Sequence, residues 1–549
     1  MIPSGTDAET AQLIRDAGTV LQMSFVGTKA PDWVLRALED GALGGVVPFA
    51  RNLESPEQIA ALCAQVRAAN PEVLLALDEE GGDVTRLEVS GGSSYPGNLA
   101  LGKADDVELT EAVARSIGRD LTALGLNFNY GPCVDVNANP DNPVIGTRSF
   151  GADSDLVARH SAAYVRGIQS QGVIGCAKHF PGHGDTAGDS HLGLPLIDYD
   201  EDAERLHLAP FRAAIEAGAK AIMTAHILFP RRDSEVPATM SHAILTGLLR
   251  EELGYQGLIV TDGIDMGAIS GRYGVAEGTV KAIAAGCDAI CWGGSKADET
   301  TYRYLRNALV WAVREGRLSA ERLSEAAGRS RSAARWAAQA HASAATAEAE
   351  VDRNVGLEAA RLAITVRGGD EGRSPRPFTA APHVVEFSPL VSIAVDTATP
   401  WGLAGPLAEL VPGTTSARIT APTTHTETVG LIASAVVDQD AEVDVAAELA
   451  AAEGRPLVLA VRDLHRNPWM RRAVDAVRAK RPDAVVVEFG LPQGDVADLC
   501  TYGASRVSGI AAAEFLAGRQ TAAQPTAGRQ TAGQQTAGGE SSHNSKEDP

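Results

Sequence analysis

Residues 172–191 read Gly-Val-Ile-Gly-Cys-Ala-Lys-His-Phe-Pro-Gly-His-Gly-Asp-Thr-Ala-Gly-Asp-Ser-His. The run 173–177 is short, apolar and without alternation, the pattern of a strand buried on both faces, as in a parallel sheet. It ends at a charged pair, Lys178 and His179. A loop follows, broken by Pro181, loosened by Gly182, Gly184 and Gly188, and carrying His183, Asp185, Asp189 and His191. Packing alone does not call for ionisable groups at the end of a buried strand. A ligand site does.

Similar apolar runs recur at 20–26, 44–49, 73–77, 126–130, 219–225, 258–261 and 287–292. Between them lie helical patterns at 56–69, 106–124, 154–171, 202–217 and 240–252. Eight strands alternating with helices over about 300 residues predict an α/β fold, a (β/α)8 TIM-type barrel. Several runs end in polar groups: Asp78, Asp135, Lys178 with His179, His226 and Asp262. A barrel of this type carries its site at the C-terminal ends of its strands, so these groups are expected to face one another.

The chain has 549 residues, more than one hydrophobic core serves. We expect a catalytic barrel with its linker helix at 1–345 and a smaller α/β sandwich domain at 351–518. A disordered low-complexity tail is expected at 519–549, where repeats such as Ala-Gly-Arg-Gln-Thr-Ala offer no large side chains to bury. In the second domain the strand-like segments are 362–366, 384–387, 457–461 and 484–489, with helices at 467–480 and 505–516. An alanine-rich helix from 318 to about 350 reads as the barrel's last.

A net charge of −22 argues against nucleic acid and against an anionic membrane surface as partners. No long apolar segment offers a membrane span, and the first ten residues lack the basic start and apolar core of a secretory leader. None of the six cysteines forms a Cys-x-x-Cys pair, and most lie near apolar runs, so they read as buried thiols in a reducing compartment. The cytoplasm is the expected location.

Asp262 follows an apolar strand in Leu-Ile-Val-Thr-Asp-Gly-Ile-Asp-Met. A carboxylate fixed there suits attack on an electrophilic carbon, and equally a helix N-cap. Asp265, a turn further on, reads as the cap. Asp189 and His191 are two apart, and a carboxylate beside a histidine makes a proton donor and acceptor near neutral pH. Asp78, Arg86 and Arg148 suit a polyhydroxylated ligand, and Glu80 and Asp83 read as structural ion pairs.

Together, Lys178-His179-Phe180-Pro181-Gly182-His183-Gly184-Asp185-Thr186, Asp189-Ser190-His191, the Asp262 strand and the Asp78–Arg86 segment resemble the family-3 glycoside hydrolases over roughly residues 10–340. The likeness is greatest to the NagZ-type β-N-acetylglucosaminidases. The resemblance implies a retaining, exo-acting enzyme without metal or cofactor. Asp262 would be the nucleophile, His191 the acid/base and Asp189 its partner, while Asp78, Arg86, Arg148, Lys178 and His179 would hold the sugar. It implies a small carbohydrate or muropeptide substrate in peptidoglycan turnover, a chitin fragment or a glycoconjugate being the other substrates left open. The glycine-rich loop is expected to stand open and close on substrate. The sequence departs from the family at Glu79, where Gln is commoner, and at Asp83, where Arg is commoner. Three other readings of the same residues stand: transfer of the sugar to phosphate, a zinc site on His179, His183 and His191, and a non-catalytic sugar-binding protein. Nothing in the sequence bears on oligomeric state.

Overall fold

The computed structural model describes residues 7–294, 297–345, 354–367, 375–429 and 432–519. The eight apolar runs of the first half become β1 Leu21–Met23, β2 Gly45–Val46, β3 Leu74–Leu77, β4 Phe128–Asn129, β5 Ile174–Phe180, β6 Ala221–Thr224, β7 Leu258–Thr261 and β8 Ile290–Trp292. All pair in parallel in the order β7-β6-β5-β4-β3-β2-β1-β8. A bridge between Val260 and Ala289 closes the ring, so the (β/α)8 barrel is as expected.

Polar caps begin the surrounding helices, each side chain accepting an otherwise unsatisfied backbone N–H. Ser55 caps Pro56–Ala69, Asp106 caps Val107–Ala123, Asp153 caps Ser154–Gln169 and Asp200 caps Glu201–Glu216. Strand residues Leu74, Ala76, Phe128, Ile174, Met223 and Val260 fill the barrel interior. Ala334 and Ala337 join that interior cluster from Ala320–Ala345. This helix therefore packs against the barrel core, while Glu299–Arg314 follows β8 as the helix of the eighth unit. The sequence pattern had put the alanine-rich helix there instead.

The second half builds a mixed sheet from β9 Thr365–Val366, β10 His383–Ser388, β11 Thr415–Thr420, β14 Leu457–Val461, β15 Val485–Glu488 and β16 Leu499–Cys500. The remaining strands, β12 Thr423–Val429 and β13 Ile432–Val437, form an antiparallel hairpin. The sheet order is β11-β10-β14-β15-β16-β9, parallel except for β9 at the edge. Apolar clusters cover both faces, one under Val355–Ala363 and Arg506–Leu516, the other under Pro468–Lys480. The expected strand 362–366 shortens to Thr365–Val366, because Leu362 and Ala363 still belong to the helix Val355–Ala363, whose Leu357 and Ala360 pack against this sheet. The expected tail lies almost wholly outside the described residues.

Loops at the C-terminal ends of β10, β14 and β16 meet the top of the barrel. Arg86 donates to the Ala394 carbonyl at 2.8 Å, Arg466 to the Asn142 carbonyl at 2.9 Å, and the Ala504 N–H to Asp83 at 2.9 Å. Asp83 and Glu80, read as structural, are both ion-paired: Asp83 to Arg462 at 2.6 Å across the two halves, Glu80 to Arg148 at 2.7 Å within the barrel.

Candidate active site

Lys178 and His179 are neighbours in β5, and successive strand residues ordinarily face opposite ways. The pairing of β5 with β6 slips between Ala177 and Phe180, and such an irregularity re-aims side chains. Both residues line one pocket of about 270 Å³. Asp78, Arg86, Arg148, His191 and Asp262 line it too, so strand ends and loops far apart in sequence converge on it, whereas Asp135 and His226, expected to face the same site, are not part of its lining. Asp189 stands behind His191.

The basic groups and carboxylates form a closed network. Lys178 Nζ lies 2.9 Å from Asp78 Oδ1 and 2.7 Å from Glu80 Oε1. Arg148 grips Glu80 with two parallel bonds of 2.9 and 2.7 Å. Burial opposes the Glu80 charge, but Arg148 and Lys178 outweigh it and hold the carboxyl well below the usual range. Asp135 does the same beneath the pocket. Its carboxylate takes the backbone N–H groups of His179 and His183 and lies 2.8 Å from His179 Nδ1. The Asp135 carboxylate can only accept, so His179 carries a proton on Nδ1, and Arg148 lies 3.5 Å from its Nε2.

The 181–199 loop is fastened at several points. His183 Nδ1 bonds Thr186 Oγ1 and Nε2 bonds Ser190 Oγ, both at 2.9 Å. Thr186 Oγ1 also donates to the His183 carbonyl, so the ring donates from Nδ1 and accepts Ser190 at Nε2. Burial lowers the His183 pKa to about 4, in accord with a neutral ring. A Cβ at Gly184 would lie 1.8 Å from the Val136 carbonyl oxygen, so only glycine fits there. At the loop's far end, the Gly267 and Ala268 N–H groups donate to the His191 and Ser190 carbonyls at 3.0 and 3.3 Å. The expected open loop is not what is seen: its acidic end is tied to the β7 turn, and His191 already lines the pocket.

Asp189 Oδ1 lies 2.7 Å from His191 Nδ1. Burial works against charge on His191, but the Asp189 bond and its negative field raise the pKa above the ordinary histidine value. Burial likewise opposes ionisation of Asp262, yet the fields of His179, His226 and His191 and the Gly263 N–H lower its pKa to about 2. Asp262 is thus an ionised carboxylate beside a histidine inclined to hold a proton. His226 Nε2 lies 2.9 Å from the Gly263 carbonyl, which can only accept, so the ring pins the turn that carries Asp262.

Asp265 is not a helix cap. It accepts the Gly293 N–H at 3.1 Å and lines the pocket. Sequence reading also left out Phe49, Ile393 and Ala394 of the pocket wall, and the support given by Asp135. Asp135 carried a signal, an acid beyond a strand end, but nothing to say what it would hold. The zinc reading has no geometric support, since both His183 nitrogens and Nδ1 of His179 and His191 are already hydrogen-bonded. Among the described residues, Cys133, Asp135 and His179 are the one set with metal-ligating atoms close together, and Asp135 there is filled with donors.

Residues 15–332 match the glycosyl hydrolase family 3 N-terminal domain. The chain is 38% identical over 313 residues to beta-hexosaminidase A of Pseudoalteromonas piscicida, a match spanning 52% of either chain. It is 36% identical over 263 residues to a beta-hexosaminidase of Neisseria meningitidis serogroup B, covering 46% of this chain and 72% of that one. The chain therefore spans about half the length of the first of these relatives. Among solved structures, a family 3 beta-N-acetylglucosaminidase from a Paenibacillus species superposes with a TM-score of 0.80 at 33% identity, covering 93% of this chain and 97% of that one. The family match covers more than half of this sequence, and the chain belongs to glycosyl hydrolase family 3.

Proposed function

We propose that the protein is a retaining, exo-acting β-N-acetylglucosaminidase. One observation carries the reading: Asp262 and the Asp189-backed His191 meet in a pocket whose other polar groups suit sugar hydroxyls. Asp262 attacks the anomeric carbon as His191, protonated, delivers its proton to the leaving oxygen, so the glycosidic bond breaks as the Asp262–sugar ester forms. Neutral His191 then removes a proton from water, which displaces Asp262 and releases the sugar with its original configuration. Asp78 accepts hydroxyl hydrogens, Arg148, Lys178 and Arg86 donate, and His179 offers its ring from the same wall. At about 270 Å³ the pocket suits one terminal sugar better than the middle of a chain. The names of the relatives support N-acetylhexosamine as that sugar.

We place the substrate among muropeptides of peptidoglycan recycling and the enzyme in the cytoplasm. No helix among the described residues is long and apolar enough to cross a membrane. The test is release of p-nitrophenol from its N-acetyl-β-glucosaminide in phosphate-free buffer after chelation. Turnover is expected in the natural protein and a loss of at least about a thousandfold in Asp262→Ala, with azide restoring glycosyl azide formation. Full activity in Asp262→Ala overturns the assignment. Activity that returns only with phosphate or zinc replaces it with one of the other readings.

A further inference from the structure

Beside the pocket lies a second cavity, of about 300 Å³, between the barrel and the second sheet. In that sheet the chain runs from β10 to β11 on one side, then returns to β14 on the other and continues outward to β15 and β16. The strand order therefore reverses between β10 and β14. In open α/β sheets ligands bind in the crevice outside the carboxyl ends of the strands at such a reversal. The cavity occupies this position: it is lined by residues 389–392, directly after β10, and by Arg462, Asp463, Arg466 and Asn467, directly after β14. The barrel covers it with Asp83 and residues 142–148.

Its chemistry narrows the ligand. Arg462 is only 6% exposed, and its Nε has no hydrogen-bond partner among the described residues. Arg466 gives one N–H to the Asn142 carbonyl and has no carboxylate within ion-pair reach among the described residues. Two carboxylates share the lining. Asp83 is already taken by Thr147, Arg462 and the Ala504 N–H, and Asp463 accepts the Leu491 N–H. Carboxylates facing the cavity weigh against a phosphate or other free anion. Donors and acceptors beside the aliphatic surface of Pro389 and Leu390 suit the hydroxyls and ring face of a sugar.

The cavity also adjoins the pocket. Val144 and Arg148 line both, and the 389–395 loop runs between them, with Ile393 and Ala394 on the pocket side. We infer that this crevice is a second carbohydrate site, which holds a distal residue of an oligosaccharide whose terminal sugar sits in the pocket. The inference rests on the glycosidase reading above.

The test is calorimetric binding of N-acetylglucosamine and of its β-1,4-linked trisaccharide to the full-length Asp262→Asn protein, compared with the same protein carrying Arg466→Ala or Gln439→Trp. Gln439 is an exposed lining residue at which a large side chain would obstruct the crevice. The trisaccharide is expected to bind at least about tenfold more tightly than the monosaccharide, with most of that advantage lost in both variants. Equal affinity for the two sugars overturns the inference, as does an advantage that survives both substitutions. Turnover of the aryl monosaccharide by the natural protein separates the two proposals. With turnover and no trisaccharide advantage, only the second site fails. With neither sugar bound and no turnover, both fail.

Discussion

Asp189 holds His191 at two points: the same carboxylate oxygen lies 2.7 Å from ring Nδ1 and accepts the His191 backbone N–H at 2.9 Å. The first contact fixes the tautomer and leaves Nε2 as the nitrogen that can exchange a proton with a ligand. The second fixes the backbone at that point, so the carboxylate stays beside the ring and turning the ring away costs the first contact.

Asp189→Asn keeps the shape and removes the charge. We expect kcat to fall by about a hundredfold, the usual range for disabling a proton-transfer partner. The first step needs protonated His191, whose folded pKa is raised, so its charged form persists until pH climbs through that raised value. Without Asp189 the alkaline limb of the kcat/KM profile should move to lower pH. A profile that keeps its alkaline limb while kcat falls would show that another group titrates there. The same sign governs stability. The pair's contribution is complete below the unfolded histidine pKa and is lost as pH rises through the folded one.

Gly267 lets the loop sit where it does. Its N–H reaches the His191 carbonyl, and a Cβ there would lie 2.6 Å from the same oxygen. Gly267→Ala must therefore push the His191 backbone outward. The expected result is at least about a tenfold fall in kcat, with a loss of about 1–3 kcal/mol in unfolding free energy, because the added Cβ meets backbone rather than a flexible side chain. Unchanged kcat would mean that the seated loop is not the active arrangement.

The barrel was legible because each strand is a short apolar run, and because ionisable residues such as Lys178 and Asp262 follow those runs without intervening loop. Strand pairing at positions 415–437 was not legible. Those residues are rich in threonine, and Thr415–Thr420 is largely exposed, so no apolar run marks it. Asp265 was misread for another reason. An acid near a helix start is usually a cap, and only the fold brings Gly293 within its reach. Contacts such as Arg86 with Ala394 join positions 308 apart, and no local pattern encodes them. Asp83 departs from the family's usual residue, and its reason is equally distant: Arg462.

That pair predicts how firmly the two halves are joined. The side chains of Arg462 and Asp83 are 7% and 2% exposed, so each charge depends on the other. Asp83→Ala leaves the guanidinium buried without its counter-ion and removes the acceptor of Thr147 and of the Ala504 N–H. The expected cost is about 3–5 kcal/mol in denaturant unfolding. Asp83→Ala with Arg462→Met should recover much of it, since removing both charges spares the unpaired one. A double variant no more stable than the single one would argue that packing, not charge, carries this contact.

Glu79 makes stability depend on pH in the opposite sense to an ordinary paired carboxylate. It is 2% exposed, and its Oε2 accepts from Thr85 Oγ1 at 3.0 Å and from the Arg86 and Leu87 N–H groups at 2.8 and 3.0 Å. Burial outweighs these three donors, and with the nearby Glu88 charge it raises the Glu79 pKa from 4.5 to about 7. A carboxyl with a raised folded pKa favours folding when protonated. That contribution is complete below about pH 4.5 and is lost as pH rises through 7, amounting to about 3 kcal/mol. Glu79→Gln offers an amide oxygen to the same donors and never ionises. Its unfolding free energy should exceed the parent's at pH 8.5 and approach it at pH 5, which chemical denaturation at the two values would measure. Because Glu79 fixes the backbone of Arg86, the variant should also retain substrate affinity at alkaline pH. Parallel stability curves would place Glu79 in its charged form throughout, with the three donors prevailing over burial.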